Sequence, residues 1–127
     1  MKKIKKIFIV PLLWLLTSTI LLTLPGSALP KEDWLDKIWF DKWVHIAMFS
    51  IMVFLWCRAV AKMNLSVEKL KKIFWGLTIL WITYGVGMEF VQKYFISNRS
   101  FDLGDIAADI VGCVAGFIYC FRRFIKK

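Results

Sequence analysis

The chain lacks most of the features that mark a soluble enzyme. Its three cysteines, Cys57, Cys113 and Cys120, form no CxxC pair, so their spacing predicts neither a disulfide nor a metal site. No GxSxG, HExxH or phosphate-binding glycine motif is present to name a reaction. We therefore predict no metal and no cofactor. Linkers rich in Pro, Gly or Ser and internal repeats are also missing, which favours one domain over residues 1–127.

The sequence also lacks the alternating apolar and polar faces of soluble helices. Apolar residues make up 59% of its 127 positions and are gathered in four runs. These runs predict helices at about 7–24, 43–61, 73–92 and 104–121. At about 1.5 Å per residue, roughly 17–25 residues cross the hydrocarbon of a bilayer. The prediction is an all-α fold, an integral membrane bundle of four transmembrane helices.

Acidic residues are scarce, with 9 against 18 basic residues and a net charge of +9. Such an excess can indicate nucleic-acid binding, but its distribution argues against that function here. Thirteen of the basic residues fall at the two termini and in the second loop, on one side of four alternating helices. The positive-inside rule then places the N- and C-termini in the cytoplasm. We predict a multi-pass protein of the cytoplasmic membrane that contacts lipids and has no nucleic-acid partner.

The first apolar run has a second interpretation, a cleaved signal peptide. Residues 1–6 are basic, and Gly26-Ser27-Ala28 offers a small-x-small cleavage site. The run is longer than the roughly 7–15 apolar residues of a signal peptide, which favours a retained helix. The loop that follows is extracytoplasmic in either case.

The polar residues inside or beside the apolar runs are few and form three clusters. They are Asp41, Lys42 and His45, then Glu89 and Gln92, then Arg99, Asp102, Asp105 and Asp109. With alternating helices, all three clusters meet at the extracytoplasmic ends of the second, third and fourth helices. Ionisable groups at a membrane boundary are costly unless they pair, contact water or bind a ligand. We therefore predict that these nine residues form a ligand-binding site.

The spacing on the fourth run predicts the direction in which its aspartates point. Asp102, Asp105, Asp109, Gly112 and Gly116 advance by 3, 4, 3 and 4 residues and so share one helix face. Glycine at such spacing allows a neighbouring helix to approach closely. The stripe is therefore predicted to face the bundle, with Asp109 one turn, ~6 Å, deeper than Asp105.

The three clusters also form an ordered set of motifs. They read Asp41-Lys42-Trp43-Val44-His45-Ile46-Ala47-Met48-Phe49, Glu89-Phe90-Val91-Gln92 and Arg99-Ser100-Phe101-Asp102-Leu103-Gly104-Asp105, followed by Gly112 and Gly116. Over about 36–121 the chain resembles the VanZ-like family, small bacterial membrane proteins named for a member linked to teicoplanin resistance. The resemblance implies an envelope role at the outer leaflet and an effect on glycopeptide sensitivity. That family usually has asparagine where this chain has Asp109, so the role of this position does not transfer directly.

Three functional classes stay open from the sequence. In the first, the site recognises a membrane lipid headgroup, a lipid-linked envelope precursor or a glycopeptide. Lys42 and Arg99 would then contact phosphate or carboxylate, while Gln92 and the acids hydrogen-bond an amine or sugar hydroxyls. In the third class, which is purely structural, the polar face binds another membrane protein; the second class is described next. The oligomeric state is open.

The second class is a membrane-embedded enzyme acting on an envelope lipid or lipid-linked precursor. The catalytic candidates are His45, Glu89 and Asp105. His45 would act as general acid or base, oriented by Asp41 or Glu89, with Asp102 or Asp105 as second acid, nucleophile or metal ligand. Whether the chain is an enzyme is therefore left open.

Overall fold

Four long helices make up most of the part of the chain that the structure describes. The computed structural model describes residues 2–25, 39–97, 99 and 101–126, and the helices are α1 (Lys2–Leu22), α2 (Phe40–Ala61), α3 (Val67–Phe95) and α4 (Leu103–Ile125). All four are long and apolar enough to cross a membrane. The described residues contain no strand. The predicted all-α class is confirmed, with four helices of membrane-spanning length and composition among the described residues.

The helices are longer than the apolar runs that predict them. α2 begins at Phe40, so that Asp41 and Lys42 lie inside its first turn. α3 begins at Val67 because Ser66 caps it, its hydroxyl accepting from the backbone N–H of Lys69 at 3.4 Å. Polar residues at a helix end continue the helix but do not belong to the apolar run. The helices are therefore longer than the runs.

The last turn of α4 widens. Residues Phe121–Ile125 form a π-helical turn, closed by a 3.0 Å hydrogen bond from the backbone N–H of Lys126 to the carbonyl of Phe121. Such turns are rare and are often found at functional sites. Arg122 and Arg123 lie within this turn.

The closest packing in the bundle joins α2 and α4, which run parallel. A Cβ added at Gly112 would collide with the carbonyl oxygen of Ile46, and one at Gly116 would lie 2.8 Å from the carbonyl oxygen of Ser50. The Ser50 hydroxyl also donates to the Gly112 carbonyl at 2.9 Å. The glycines of the predicted stripe therefore let the two backbones meet, in the manner of small-residue packing in membranes.

The core lies where α2, α3 and α4 meet. Its fully buried side chains include Phe49, Met52, Val53 and Phe74. The three cysteines are buried and free, and they fill space between helices as small apolar groups.

α1 packs on the outside of this core, antiparallel to α2. The Trp14 indole N–H donates to the Met48 carbonyl at 3.1 Å, and the hydroxyls of Thr19 and Tyr84 lie 2.6 Å apart.

The starts of α2 and α4 and the ends of α1 and α3 share one end of the bundle, called here the polar end. The opposite end, called the basic end, holds the starts of α1 and α3 and the ends of α2 and α4. The possible cleavage site at Gly26-Ser27-Ala28 lies outside the described residues.

Candidate functional site

Lys42 is the centre of the polar end. Its Nζ donates to the carboxylates of Asp41 at 2.8 Å, Asp102 at 2.5 Å and Asp105 at 2.7 Å. Because α2 and α4 run parallel, their first turns lie side by side, and this brings the lysine to the aspartates. The ammonium group thereby uses its three donors on three carboxylates.

Asp102 links this ion cluster to the start of α4. It is the N-cap residue, and its Oδ1 accepts from the backbone N–H of Gly104 at 2.7 Å while Oδ2 accepts from Lys42. The hydrogen bond from the Lys42 ammonium holds the pKa of Asp102 below its ordinary value, with the cap hydrogen bond adding to the effect. Asp102 is therefore ionised at neutral pH and stabilises the helix terminus.

His45 lies one turn deeper and pairs with Asp109. Its Nδ1 is 2.7 Å from Asp109 Oδ1, and its Nε2 is 3.8 Å from Asp105 Oδ2. The ring of Phe49 stacks over the imidazole at 6.5 Å between centroids. His45 and Asp109 are both buried, so each satisfies the other's hydrogen-bonding need.

This pairing corrects the expectation that Asp41 or Glu89 orients His45. Asp41 is directed toward Lys42 instead, and its side chain keeps 59% of its surface exposed. Glu89 is 1% exposed and accepts through Oε2 from the backbone N–H of Asp102 at 3.0 Å. The sequence spacing could not show this, because the donor to Glu89 is the backbone amide of the α4 N-cap residue, and a backbone amide has no signature in the sequence.

Gln92 and Arg99 point away from the lysine and histidine. The Gln92 amide donates to the Leu22 carbonyl at 2.8 Å, and Arg99 donates to the carbonyls of Leu24 at 3.1 Å and Leu21 at 3.3 Å. Both side chains thus bind the carbonyl end of α1, where donors and positive charge are favourable. The prediction that Lys42 and Arg99 contact a phosphate or carboxylate of a ligand stays a prediction. Within the described residues, Lys42 donates to three carboxylates of the chain and Arg99 to two carbonyls at the end of α1.

Seven residues therefore form one connected group, called the polar cluster: Asp41, Lys42, His45, Glu89, Asp102, Asp105 and Asp109. The other two predicted site residues, Gln92 and Arg99, fasten α1 beside it. The cluster contains five carboxyl groups beside one lysine and one histidine, so carboxyl groups outnumber the basic side chains in it.

Gly85 is a site residue that the sequence reasoning missed. A Cβ at this position would lie 2.7 Å from Asp109 Oδ2 and 3.1 Å from the Phe49 ring. Its signal was its place four residues before Glu89, on the same face of α3. Gly85 makes room for the Asp109 carboxylate in the interior of the bundle.

The residues best placed to hold a cation are Asp41, Asp102 and Asp105. One carboxylate oxygen from each lies within 4.8 Å of the others, a spacing that suits oxygen ligands of a hard metal ion. The Lys42 ammonium already lies among these oxygens and supplies a positive charge to them. These carboxylate oxygens thus suit a cation, and the Lys42 ammonium group is such a cation within the chain itself.

Comparison with known proteins adds no relative. No protein-family model, curated protein or solved structure matches this chain. The geometry of the polar end and the motif residues in it are the grounds on which a function can be proposed.

Proposed function

We propose that this chain is a VanZ-like multi-pass protein of the bacterial cytoplasmic membrane. Its polar cluster would lie at the extracytoplasmic face and recognise the headgroup of a membrane lipid or another amphiphile. The VanZ-like motif residues support this family assignment, since most of them gather at the polar end of the bundle. The distribution of basic residues supports this orientation. Most of them lie toward the basic end, within residues 2–6, 58–72 and 122–126.

The observation that carries the proposal is the graded exposure of the polar cluster. The side chains of Asp41 and Asp102 are 59% and 43% exposed, whereas Asp105 and Asp109 are buried. The cluster thus has an open acidic rim above an interior whose polar groups hold one another in place. The buried polar groups below the rim hold its carboxylates in place, so the rim is pre-organised to accept hydrogen bonds from a ligand.

The charge of the rim selects the chemistry of the ligand. Lys42 already donates to three carboxylates, and Arg99 uses two of its donors on carbonyls at the end of α1. Excess carboxylate favours a protonated amine or sugar hydroxyls as the recognised group. Lipid headgroups, lipid-linked envelope precursors and glycopeptides can all present such donors, and the family resemblance favours an effect on glycopeptide sensitivity.

The test is teicoplanin susceptibility of a sensitive bacterial host that expresses the chain. We expect the wild-type chain to raise the inhibitory concentration and the double variant Asp41→Asn/Asp102→Asn to lose that protection. Glu68→Gln is the matched control, because Glu68 is an exposed acid in the first turn of α3 at the basic end. Membrane fractions are assayed to verify equal amounts of protein. Full protection by the double variant would show that the rim does not recognise the antibiotic or its target.

A lipid-modifying enzyme is the second candidate, and the His45–Asp109 pair favours it. A carboxylate on Nδ1 fixes the imidazole tautomer and leaves Nε2 to exchange a proton, here on the side of Asp105. Glu89 would then orient the start of α4 through its hydrogen bond to Asp102.

The two candidates differ in what His45→Gln does. An enzyme would lose all activity, and lipid extracts from cells expressing the variant would lack a species made by cells expressing the wild type. A binding site would keep most of its protection, because His45 is buried below the exposed rim. Identical lipid profiles with and without the wild-type chain would exclude the enzyme.

A further inference from the structure

A groove runs along the outer surface of α2 and α4, away from the polar cluster. It consists of two adjoining cavities of about 440 and 630 Å³ that share Ala115 and Tyr119. The first is completed by Ser50, Ile51, Phe54 and Gly116, and the second by Ile118, Arg122 and Arg123. The groove thus leads from a mostly apolar section at the helix crossing to two arginines at the basic end.

The close approach of α2 and α4 shapes this groove. Gly116 packs against the backbone of Ser50, so the floor between the helices is made of small residues. The rings of Phe54 and Tyr119, 5.7 Å apart, rise beside it. From Ala115 to Arg123 the α4 side of the groove extends for about 12 Å at 1.5 Å per residue. An extended hydrocarbon chain can therefore lie along it.

The positive charge at the end of the groove is uncompensated in the described part of the chain. Arg122 and Arg123 are exposed, and neither is among the ion pairs formed by the described residues. Arg58 follows Phe54 by four residues on the same face of α2 and is also exposed. Arginine is the side chain best suited to bind phosphate oxygens.

We propose that this groove is a binding site for an anionic phospholipid. The phosphate would lie against Arg122 and Arg123, and an acyl chain would follow Tyr119 and Ala115 toward Phe54. Basic pockets between transmembrane helices bind anionic headgroups in this way. The site is separate from the polar cluster and does not depend on the function proposed for it.

The experiment is native mass spectrometry of the detergent-solubilised protein, titrated with phosphatidylglycerol or with phosphatidylcholine of the same acyl chains. We expect the anionic lipid to bind at least 10-fold more tightly than phosphatidylcholine. Arg122→Gln/Arg123→Gln should remove that preference, since each basic residue near an anionic headgroup contributes a factor of about 5. Ala115→Phe should weaken binding as well, because the exposed Ala115 lies in the groove and a phenyl ring would fill it.

The control variant is Lys2→Gln/Lys3→Gln, which removes the same charge from exposed positions that do not line the groove. It should keep the preference for phosphatidylglycerol. Soluble glycerol phosphate should not compete with the lipid, because it has no acyl chain. Equal losses in the two double variants, or no preference for the anionic lipid in the wild type, would overturn the proposal. Each variant is verified to be monodisperse and helical before the titration.

Discussion

Asp109 and His45 form a pair in which each residue needs the other. Both are buried, and their side-chain atoms are 2.7 Å apart. An asparagine at position 109 could still accept a hydrogen bond from the imidazole through its amide oxygen. An alanine could not.

We therefore expect Asp109→Ala to lower the free energy of unfolding by about 1–3 kcal/mol, the cost of a buried polar group left without a partner. Asp109→Asn should cost less than Asp109→Ala. Thermal unfolding of the purified protein in detergent, followed by circular dichroism, measures both. Asp41→Ala is the control, because that side chain is largely exposed and its loss should change stability little. An Asp109→Ala variant as stable as the wild type would show that the pair contributes nothing.

Asp102 gives the polar end a defined response to acid. Its pKa is lower in the folded protein than in the unfolded chain because Lys42 and the Gly104 amide bind the carboxylate. The stabilisation is therefore complete above the unfolded pKa of about 3.9 and is lost as the pH falls through the lower folded value. The difference in melting temperature between the wild type and Asp102→Asn should thus be constant well above a pH of about 3.9 and shrink as the pH falls below it. A difference that stays constant below that pH as well would contradict the assignment.

At the scale of helices, the packing of α2 against α4 depends on glycine at positions 112 and 116, whereas Gly76 and Gly87 of α3 make no close contact. The atoms nearest to an added Cβ at Gly112 and Gly116 are backbone oxygens of α2, which cannot turn aside. Gly76 and Gly87 on α3 have open space around them. The same substitution should therefore have opposite effects at the two kinds of position.

Gly112→Ala should lower the free energy of unfolding by about 1–3 kcal/mol, because the added methyl group forces the helices apart. Gly76→Ala should raise it by up to about 1 kcal/mol, since alanine favours the helix and meets no neighbour. Unfolding of both variants in the same detergent compares them directly. A destabilised Gly76→Ala together with a neutral Gly112→Ala would contradict the packing described for α2 and α4.

The four helices themselves could be predicted from the sequence, because apolar runs of this length have few other stable structures. The inward direction of Asp105 and Asp109 followed from their spacing with Gly112 and Gly116, and the structure places them there. The partners of Gln92 and Arg99 could not be predicted. Both bind backbone carbonyls of α1, and a carbonyl has no signature in the sequence.

For the whole molecule, the up-and-down order of helices makes the side of each end testable. Lys62 lies after α2 at the basic end, and Tyr94 is exposed in the last turn of α3 at the polar end. The three native cysteines are buried and should not react. Each position can therefore carry a single reactive cysteine.

On intact cells, a membrane-impermeant maleimide should label Tyr94→Cys and leave Lys62→Cys unlabelled. After the membrane is made permeable, both variants should react to a similar extent, while the parent protein stays unlabelled throughout. The expected result follows from the excess of basic residues at the Lys62 end. Labelling of Lys62→Cys alone on intact cells would invert the proposed orientation and place the polar cluster in the cytoplasm.

The hydrogen bonds at the end of α1 also set an order for biogenesis. The carbonyls of Leu22 and Leu24 find their donors in Gln92 and Arg99, 70 and 75 residues further along the chain. α1 is therefore synthesised well before the groups that bind its end. Until they are made, its last carbonyls need other hydrogen-bond donors, such as water. Assembly of this protein is thus finished late, once synthesis has passed Arg99.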